Sequence, residues 1–333
     1  MEQYIDEIYK IAHDNNILLS LTIELLTYCN ENCVHCYIPK HNLKGIETKK
    51  IKEIISEFRA MGGLNLTLTG GEIFLRDDLF EIIQYARSLN LRVFLLTNAT
   101  LISKDIAVKL KELSVTEISV SVYSLDEKIH DQITRYRGSL KRTLQALEYA
   151  KEVRLPVTVK TPLMELNKYS YRDLKIFCKE NGYKYMASSI IFSKSNGDSS
   201  VKELSIKDEN LCSIVKEIES LESTTKHNAY EEACGCLKYM LAIDAEGNIY
   251  PCNSLYYKVG NVYMDTLTEI WGRGKLKEIQ NIKKTDLPYC SKCKLKKVCS
   301  RCPGLALLED GDYMGCSSTA YKNARLRLYL NKI

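Results

Sequence analysis

The chain has 333 residues, 45% of them hydrophobic and 27% charged, with a formal net charge of +5. That length suits one large domain plus a smaller one, with enough apolar sequence for a real core. The apolar runs are short and interrupted, which argues against a membrane span, and the acidic start MEQYIDEIYK lacks the basic and apolar parts of a signal peptide.

In chain order, residues 1–17 read as a helical extension. From residue 18 to about 200 one theme repeats: a short β-rich run, then a longer amphipathic one. The strand candidates are LTIELLT (21–27), LNLTLT (64–69), RVFLLT (92–97), EISVSVY (117–123), PVTVK (156–160) and YKYMASSI (183–190). Between them, TKKIKEIISEFRAMG places Ile51, Ile54, Ile55 and Phe58 on one face, with Thr48 as the expected cap. DDLFEIIQYARSLN, SKDIAVKLKELS, SLKRTLQALEYAKEV and SYRDLKIFCKENG keep the same period. Six βα units predict a parallel sheet, either curled into a barrel or lying open, with ligand-binding residues at the C-terminal strand ends. FSKSNGDSSVKEL (192–204) reads as a flexible connection, and 205–222 as a helix, so 201–230 is a linker and helix. From 231 to 333 cysteines become dense, helical periods shorten, and LAIDAEGNIYP reads as a hairpin turning at Glu246-Gly247.

The chain has 13 cysteines and five histidines. In a reducing cytoplasm, the expected location, that cysteine count points to metal rather than disulfides. Cys29, Cys33 and Cys36 follow the first strand with C-x3-C-x2-C spacing. Three thiolates fall one short of a structural zinc site, which would have to borrow His35 or His41. On a [4Fe–4S] cluster they leave one iron open for a substrate or cofactor. Thr69-Gly70-Gly71-Glu72 follows the second strand and Thr97-Asn98 the third.

CNENCVHCY, with Tyr37 after the last cysteine, together with TGGE (69–72) and the βα repeat, resembles the radical S-adenosylmethionine (SAM) family over roughly residues 18–190. The resemblance implies an α/β fold built on a partial (β/α)6 TIM-like barrel. It implies that Cys29, Cys33 and Cys36 bind three irons and that SAM takes the fourth through its amino and carboxylate groups, yielding a 5′-deoxyadenosyl radical. Gly70, Gly71 and Glu72 would then meet the methionine ammonium. Thr97, Asn98, Ser119 and Ser121 would meet the ribose or carboxylate, Lys160 the carboxylate, and Tyr37 belongs to the same cofactor site.

Setting Cys178 and Cys212 aside as structural leaves eight cysteines, Cys234, Cys236, Cys252, Cys290, Cys293, Cys299, Cys302 and Cys316. Their run resembles the twin-cluster extension called SPASM, a small cysteine-rich α+β domain binding iron–sulfur clusters. The interval from Cys299 to Cys302 is one residue shorter than that pattern. Carried over, auxiliary cluster II takes Cys290, Cys293, Cys299 and Cys316, and cluster I takes Cys234, Cys252 and Cys302. Cys236 is then a fourth ligand, a thiol that quenches a substrate radical, or neither; a pair of zinc sites is the plainer alternative. Eleven ligand thiolates and three cluster cores would bring the net charge from +5 to about zero, which weakens a nucleic-acid partner. The lysines of KTDLPYCSKCKLKKVCSRC would offset cluster charge or meet an acidic peptide or redox partner.

Families with this pairing mostly modify peptides, giving a crosslink, a thioether or an epimerised residue. The resemblance therefore implies a peptide substrate, with a formylglycine-forming sulfatase maturase or a cofactor-biosynthesis enzyme as the alternative. About twenty residues precede the barrel, so a separate leader-binding protein or direct docking is expected. A flavodoxin- or ferredoxin-like protein is the expected electron donor, with no nucleic acid and no membrane partner.

Overall fold

The structure, a computed structural model, describes residues 2–219 and 232–330. Six parallel strands alternate with helices: β1 (Ser20–Glu24), β2 (Asn65–Thr69), β3 (Arg92–Thr97), β4 (Glu117–Ser121), β5 (Val157–Pro162) and β6 (Lys184–Ser188). The helices are α1 (Glu2–Asp14), α2 (Thr48–Ala60), α3 (Leu79–Ser88), α4 (Lys104–Glu112), α5 (Glu127–Thr134), α6 (Ser139–Glu152), α7 (Tyr171–Asn181) and α8 (Asp208–Glu219). Beyond them lie β7 (Met240–Ile243), β8 (Asn248–Tyr250) and β9 (Gly260–Asn261), then α9 (Leu267–Gly272), α10 (Gly274–Gln280), α11 (Pro303–Asp310) and α12 (Ser318–Leu330).

Strand alternation decides what each face of the sheet meets. Leu21, Ile23, Leu66, Leu68, Val93, Leu95, Ile118, Val120, Val157 and Val159 are buried, in one core with Ile51, Ile54, Ile55 and Phe58 of α2. The intervening residues, Thr22, Glu24, Thr67, Ser119, Ser121, Thr158 and Lys160, form the opposite, largely polar face. The register sets Glu24 beside Thr69 and Ser121 beside Lys160.

The sheet does not close. Its order is β6-β5-β4-β3-β2-β1-β7-β8-β9, a partial TIM-like barrel with β6 at one edge. On the other side β7 pairs parallel with β1, from Ser20 opposite Met240 to Ile23 opposite Ile243. The cysteine-rich region is thus joined to the barrel by a continuous sheet. The expected hairpin is present: β7 and β8 are antiparallel, and Gly247 takes the positive φ of +83° that the turn needs. The domain boundary expected near 230 lies outside the described residues.

Three local expectations are corrected. Thr48 is the first residue of α2 and not its cap; its hydroxyl bonds Asp78 instead. Residues 192–204 are irregular but fastened: Ser195 N donates to Tyr37 O at 2.9 Å, Val201 is buried, and a short 3-10 turn spans Ser200–Leu204. Lys160 sits inside β5, which runs on to Pro162. Among the described residues no helix is long and apolar enough to cross a membrane.

Candidate functional site

The loop after β1 is closed at its base by Thr27, whose Oγ1 accepts from Asn42 N at 3.1 Å and Leu43 N at 2.9 Å. Its tip is held by the end of α5, through Asn32 N to Thr134 O (3.0 Å) and Val34 N to Ile133 O (2.9 Å). Cys33 and Cys36 share one turn, Cys36 N donating to Cys33 O at 3.1 Å. Each thiol has polar company. Cys29 Sγ accepts from Glu31 N at 3.4 Å and from Asn98 Nδ2 at 3.9 Å. Cys33 Sγ stands 3.3 Å from Glu31 Oε2 and 3.8 Å from the Tyr123 hydroxyl, and Cys36 Sγ 3.4 Å from His41 Nε2. Burial pushes the Cys29 thiol up to about 12 and raises Cys33 and Cys36 as well. These thiols ionise when a metal supplies the positive charge that burial withholds.

Among the described residues, no group of three or more His, Cys, Asp or Glu side chains is arranged to hold a single metal ion. His35 lies edge-on to Tyr123, ring centroids 5.0 Å apart, with its Nδ1 buried and unpartnered. A borrowed-histidine zinc knuckle therefore has no prepared site. A cluster places each thiolate on a different iron, and three thiols on one loop, each with its own polar neighbours, fit that group.

Gly70 and Gly71 do make a close approach, but to the chain's own backbone. Gly70 has φ +141°, and a Cβ there would stand 2.3 Å from Leu26 O; one on Gly71 would stand 2.0 Å from Tyr28 O. The absent side chains let Gly71 N reach Leu26 O (3.0 Å) and Glu72 N reach Tyr28 O (2.8 Å), seating the cysteine loop on the end of β2. Glu72 is fully buried. Its carboxylate accepts from Thr97 Oγ1 at 2.7 and 2.8 Å, from Asn98 N at 2.8 Å and from Phe74 N at 3.1 Å. These bonds turn it toward the end of β3, where it joins two strand ends. Asn98 passes the connection back: its Nδ2 donates to Asn30 Oδ1 of the cysteine loop at 2.9 Å, and its Oδ1 accepts from Thr100 N at 2.9 Å.

Ser119, Ser121 and Lys160 lie on the polar face, away from this clamp. Desolvation lowers the Lys160 ammonium pKa, and among the described residues it has no hydrogen-bond partner. Tyr37 is deeply buried and donates to Glu24 Oε1 at 2.6 Å. Burial raises the Glu24 carboxyl to about 7. Glu24, Glu31, Asn30 and Tyr123 went unnoticed in the sequence. Glu24 had a signal, since alternation in LTIELLT sets a charged residue on the face opposite Leu21 and Ile23.

In the C-terminal region the thiols fall into two groups. Cys236 stands 3.2 Å from Cys234 Sγ and also bonds Cys252, so the three thiols form one hydrogen-bonded group. Cys302 feels Cys252 and Cys234. Separately, Cys299 feels Cys290, Cys316 and Cys293, while its own burial takes it to about 11. Both groups contribute to one cavity of about 1780 Å³ between α1 and the cysteine-rich region. Cys178 is buried in α7 and Cys212 lies in α8, outside either group.

The radical SAM superfamily matches residues 23–179, and the SPASM iron–sulfur cluster-binding domain matches 234–303. The chain is a radical SAM enzyme with a SPASM domain. This radical SAM chain is 28% identical over 330 residues to an AdoMet-dependent heme synthase of Methanosarcina barkeri (strain Fusaro / DSM 804), covering 87% of this chain and 93% of the relative. It is 23% identical over 300 residues to the antilisterial bacteriocin subtilosin biosynthesis protein AlbA of Bacillus subtilis (strain 168), covering 85% and 67%. In fold it is similar to Streptococcus suis SuiB bound to S-adenosylmethionine, with TM-score 0.72, 19% identity, and coverage of 96% of this chain and 81% of that one.

Proposed function

We propose that this radical SAM enzyme is a peptide maturase acting on a ribosomally made precursor. The observation that carries the reading is the division of its cysteines. Three thiols sit in the loop after β1, and seven of the eight C-terminal cysteines, all but Cys252, line one cavity beside a region joined to the same sheet. Cys29, Cys33 and Cys36 hold the SAM-binding [4Fe–4S] cluster. Cys234, Cys252 and Cys302 hold auxiliary cluster I, with Cys236 as its fourth ligand. Cys290, Cys293, Cys299 and Cys316 hold cluster II. When bound, the first cluster and SAM together supply a 5′-deoxyadenosyl radical that takes a hydrogen atom from the substrate.

The chain's own residues shape what surrounds that chemistry. Gly70, Gly71, Glu72, Thr97 and Asn98 fix the cysteine loop against β2 and β3. Ser119, Ser121 and the unpaired Lys160 offer donors to a ribose and a carboxylate. Tyr37 and Glu24 close the floor beside Cys36. The support for a peptide lies in the relatives: AlbA is named for bacteriocin biosynthesis, others are named PqqA peptide cyclase, and SuiB has a structure with its precursor peptide SuiA. The enzyme works in the cytoplasm, takes electrons from a flavodoxin- or ferredoxin-like protein, and meets its precursor directly or through a separate leader-binding protein.

One observation favours a second reading. The heme synthase of M. barkeri matches along 93% of its own length, which supports a cofactor-biosynthesis role with a tetrapyrrole substrate. The test is anaerobic. The reconstituted protein is assayed for iron, then mixed with SAM, dithionite and either a short precursor peptide encoded beside the gene or an iron porphyrin. About twelve irons and 5′-deoxyadenosine formation stimulated by the peptide support the first reading. Stimulation by the porphyrin alone moves the enzyme to the second. Zinc without SAM cleavage sinks both.

A further inference from the structure

Arg301 lies in Cys299-Ser300-Arg301-Cys302, where two neighbouring cysteines belong to different thiol groups. Its side chain is pinned. Nε donates to Gly315 O at 2.9 Å and Nη2 to Tyr313 O. Nη1 is buried and finds no partner among the described residues. A guanidinium keeps its charge under all ordinary conditions, and a buried donor left unmatched is costly. An acceptor in the space it faces would remove that cost. Arg301 lines the cavity shared by the two thiol groups. Its charge acts on Cys234 of the first and on Cys290 and Cys316 of the second.

The lysines expected to offset cluster charge do not hold this position. Lys292, Lys294, Lys296 and Lys297 are exposed, where water and salt weaken their fields. Lys284 is half-buried and lines the same cavity, but Arg301 is the half-buried cation whose charge reaches thiols of both groups.

We propose that Arg301 is a positioning residue that sets the reduction potentials of both auxiliary clusters at once, through an Nη1–H donated to cluster sulfur and a charge shared between the sites. Hydrogen bonds to sulfur and net charge are the protein's main levers on such potentials. A fixed cation favours the reduced, more negative form of each cluster. An electron leaving a substrate radical is therefore held within the pair. This inference rests on the two-cluster reading above.

The test separates the two ideas. The full chain with Cys29, Cys33 and Cys36 replaced by alanine is reconstituted, so that only auxiliary clusters load, and is titrated by potentiometry with electron paramagnetic resonance. If this parent holds only about four irons, the two-cluster reading falls and the proposal with it, before any Arg301 variant is made. With about eight irons in the parent, Arg301→Gln is expected to keep its iron while both midpoints fall. Each reduction equilibrium should weaken about tenfold, which is about 59 mV for a one-electron couple. Arg301→Lys, which keeps the charge and loses the fork, should recover part of the shift. Unchanged midpoints, or movement of one cluster alone, refute a shared tuning cation. Loss of iron in both variants also refutes it and makes Arg301 a clamp for the 313–315 turn.

Discussion

Replacing Glu72 by glutamine tests whether the glycine-rich turn works by joining strand ends. The change keeps shape and volume, so its effect is one of hydrogen bonding. Oε1 accepts from Phe74 N and Thr97 Oγ1, and Oε2 from Asn98 N and Thr97 Oγ1. A glutamine has one oxygen, so whichever way the amide is turned its NH2 faces a backbone N–H, of Phe74 or of Asn98. The Thr97 hydroxyl can rotate, but it already accepts from Ala99 N at 2.8 Å. One buried backbone donor is left unmatched, at a cost of about 2–3 kcal/mol. At about 2 °C per kcal/mol, the low end for a long chain, the unfolding midpoint should drop by about 4–6 °C. Burial raises the Glu72 carboxyl above its ordinary range in the folded protein. Its contribution to stability is therefore greatest below the unfolded-state value and declines as pH rises through the folded one. The gap between wild type and Glu72→Gln should accordingly narrow as pH rises. The assay is anaerobic thermal unfolding of the reconstituted protein at one scan rate across several pH values. A midpoint within 1 °C of wild type at the lowest pH of the series, where the gap should be widest, would show that the Glu72 side chain is not holding β2 to β3.

Gly71→Ala should be worse than its size suggests, because the added Cβ meets Tyr28 O at 2.0 Å; SAM cleavage should fall at least about tenfold as the loop shifts, whereas Gly272→Ala, with open space at its Cβ and a helical backbone, should leave both activity and midpoint alone. For Glu24, raised by burial from 4.5 to about 7, the folded value exceeds the unfolded one, so its stability contribution is intact below about pH 4.5 and lost as pH rises through about 7. Glu24→Gln should thus gain on wild type between pH 5.5 and 8, by up to about 3 kcal/mol at 1.36 kcal/mol per unit, and parallel denaturation curves would contradict the assignment. Cys252→Ala and Cys316→Ala should each remove about four irons and the double variant about eight, while Cys178→Ala should cost only packing energy, about 1–2 kcal/mol, with iron content unchanged; a shared loss in the two single variants would merge the groups.

The parts of the fold that were legible share one physical property: their signal is local. LTIELLT and RVFLLT alternate because one face meets helices and the other the barrel interior, and both became strands. α5 was missed although Asp126 caps it, its Oδ1 accepting from Lys128 N at 2.8 Å, because an eight-residue helix inside a loop shows too little periodicity. α12 was missed for a different reason: in STAYKNARLRLYL the apolar residues are spread around the helix and mark no single face. The parallel pairing of β7 with β1 was illegible in principle, since nothing in LTIEL or MLAI states that segments some 220 residues apart lie side by side.

The same distinction explains the site. Cysteine spacing is local, so the three-thiol loop and the dense C-terminal run announce themselves. The destination of each cysteine is not local. Cys299 and Cys302 are three residues apart, yet the first faces Cys290 and Cys316, and the second faces Cys234 and Cys252. That split forces the intervening chain to pass between the two groups, and whatever stands at its middle acts on both. Ser300 is exposed, and its Oγ accepts from Arg327 Nη1 at 2.9 Å. Arg301 is the charged one of the two, and its Tyr313 and Gly315 carbonyl partners come from the same turn that delivers Cys316. A residue that looked like one more basic side chain in a lysine-rich stretch is placed by topology, and not by composition, at the point where the two groups meet.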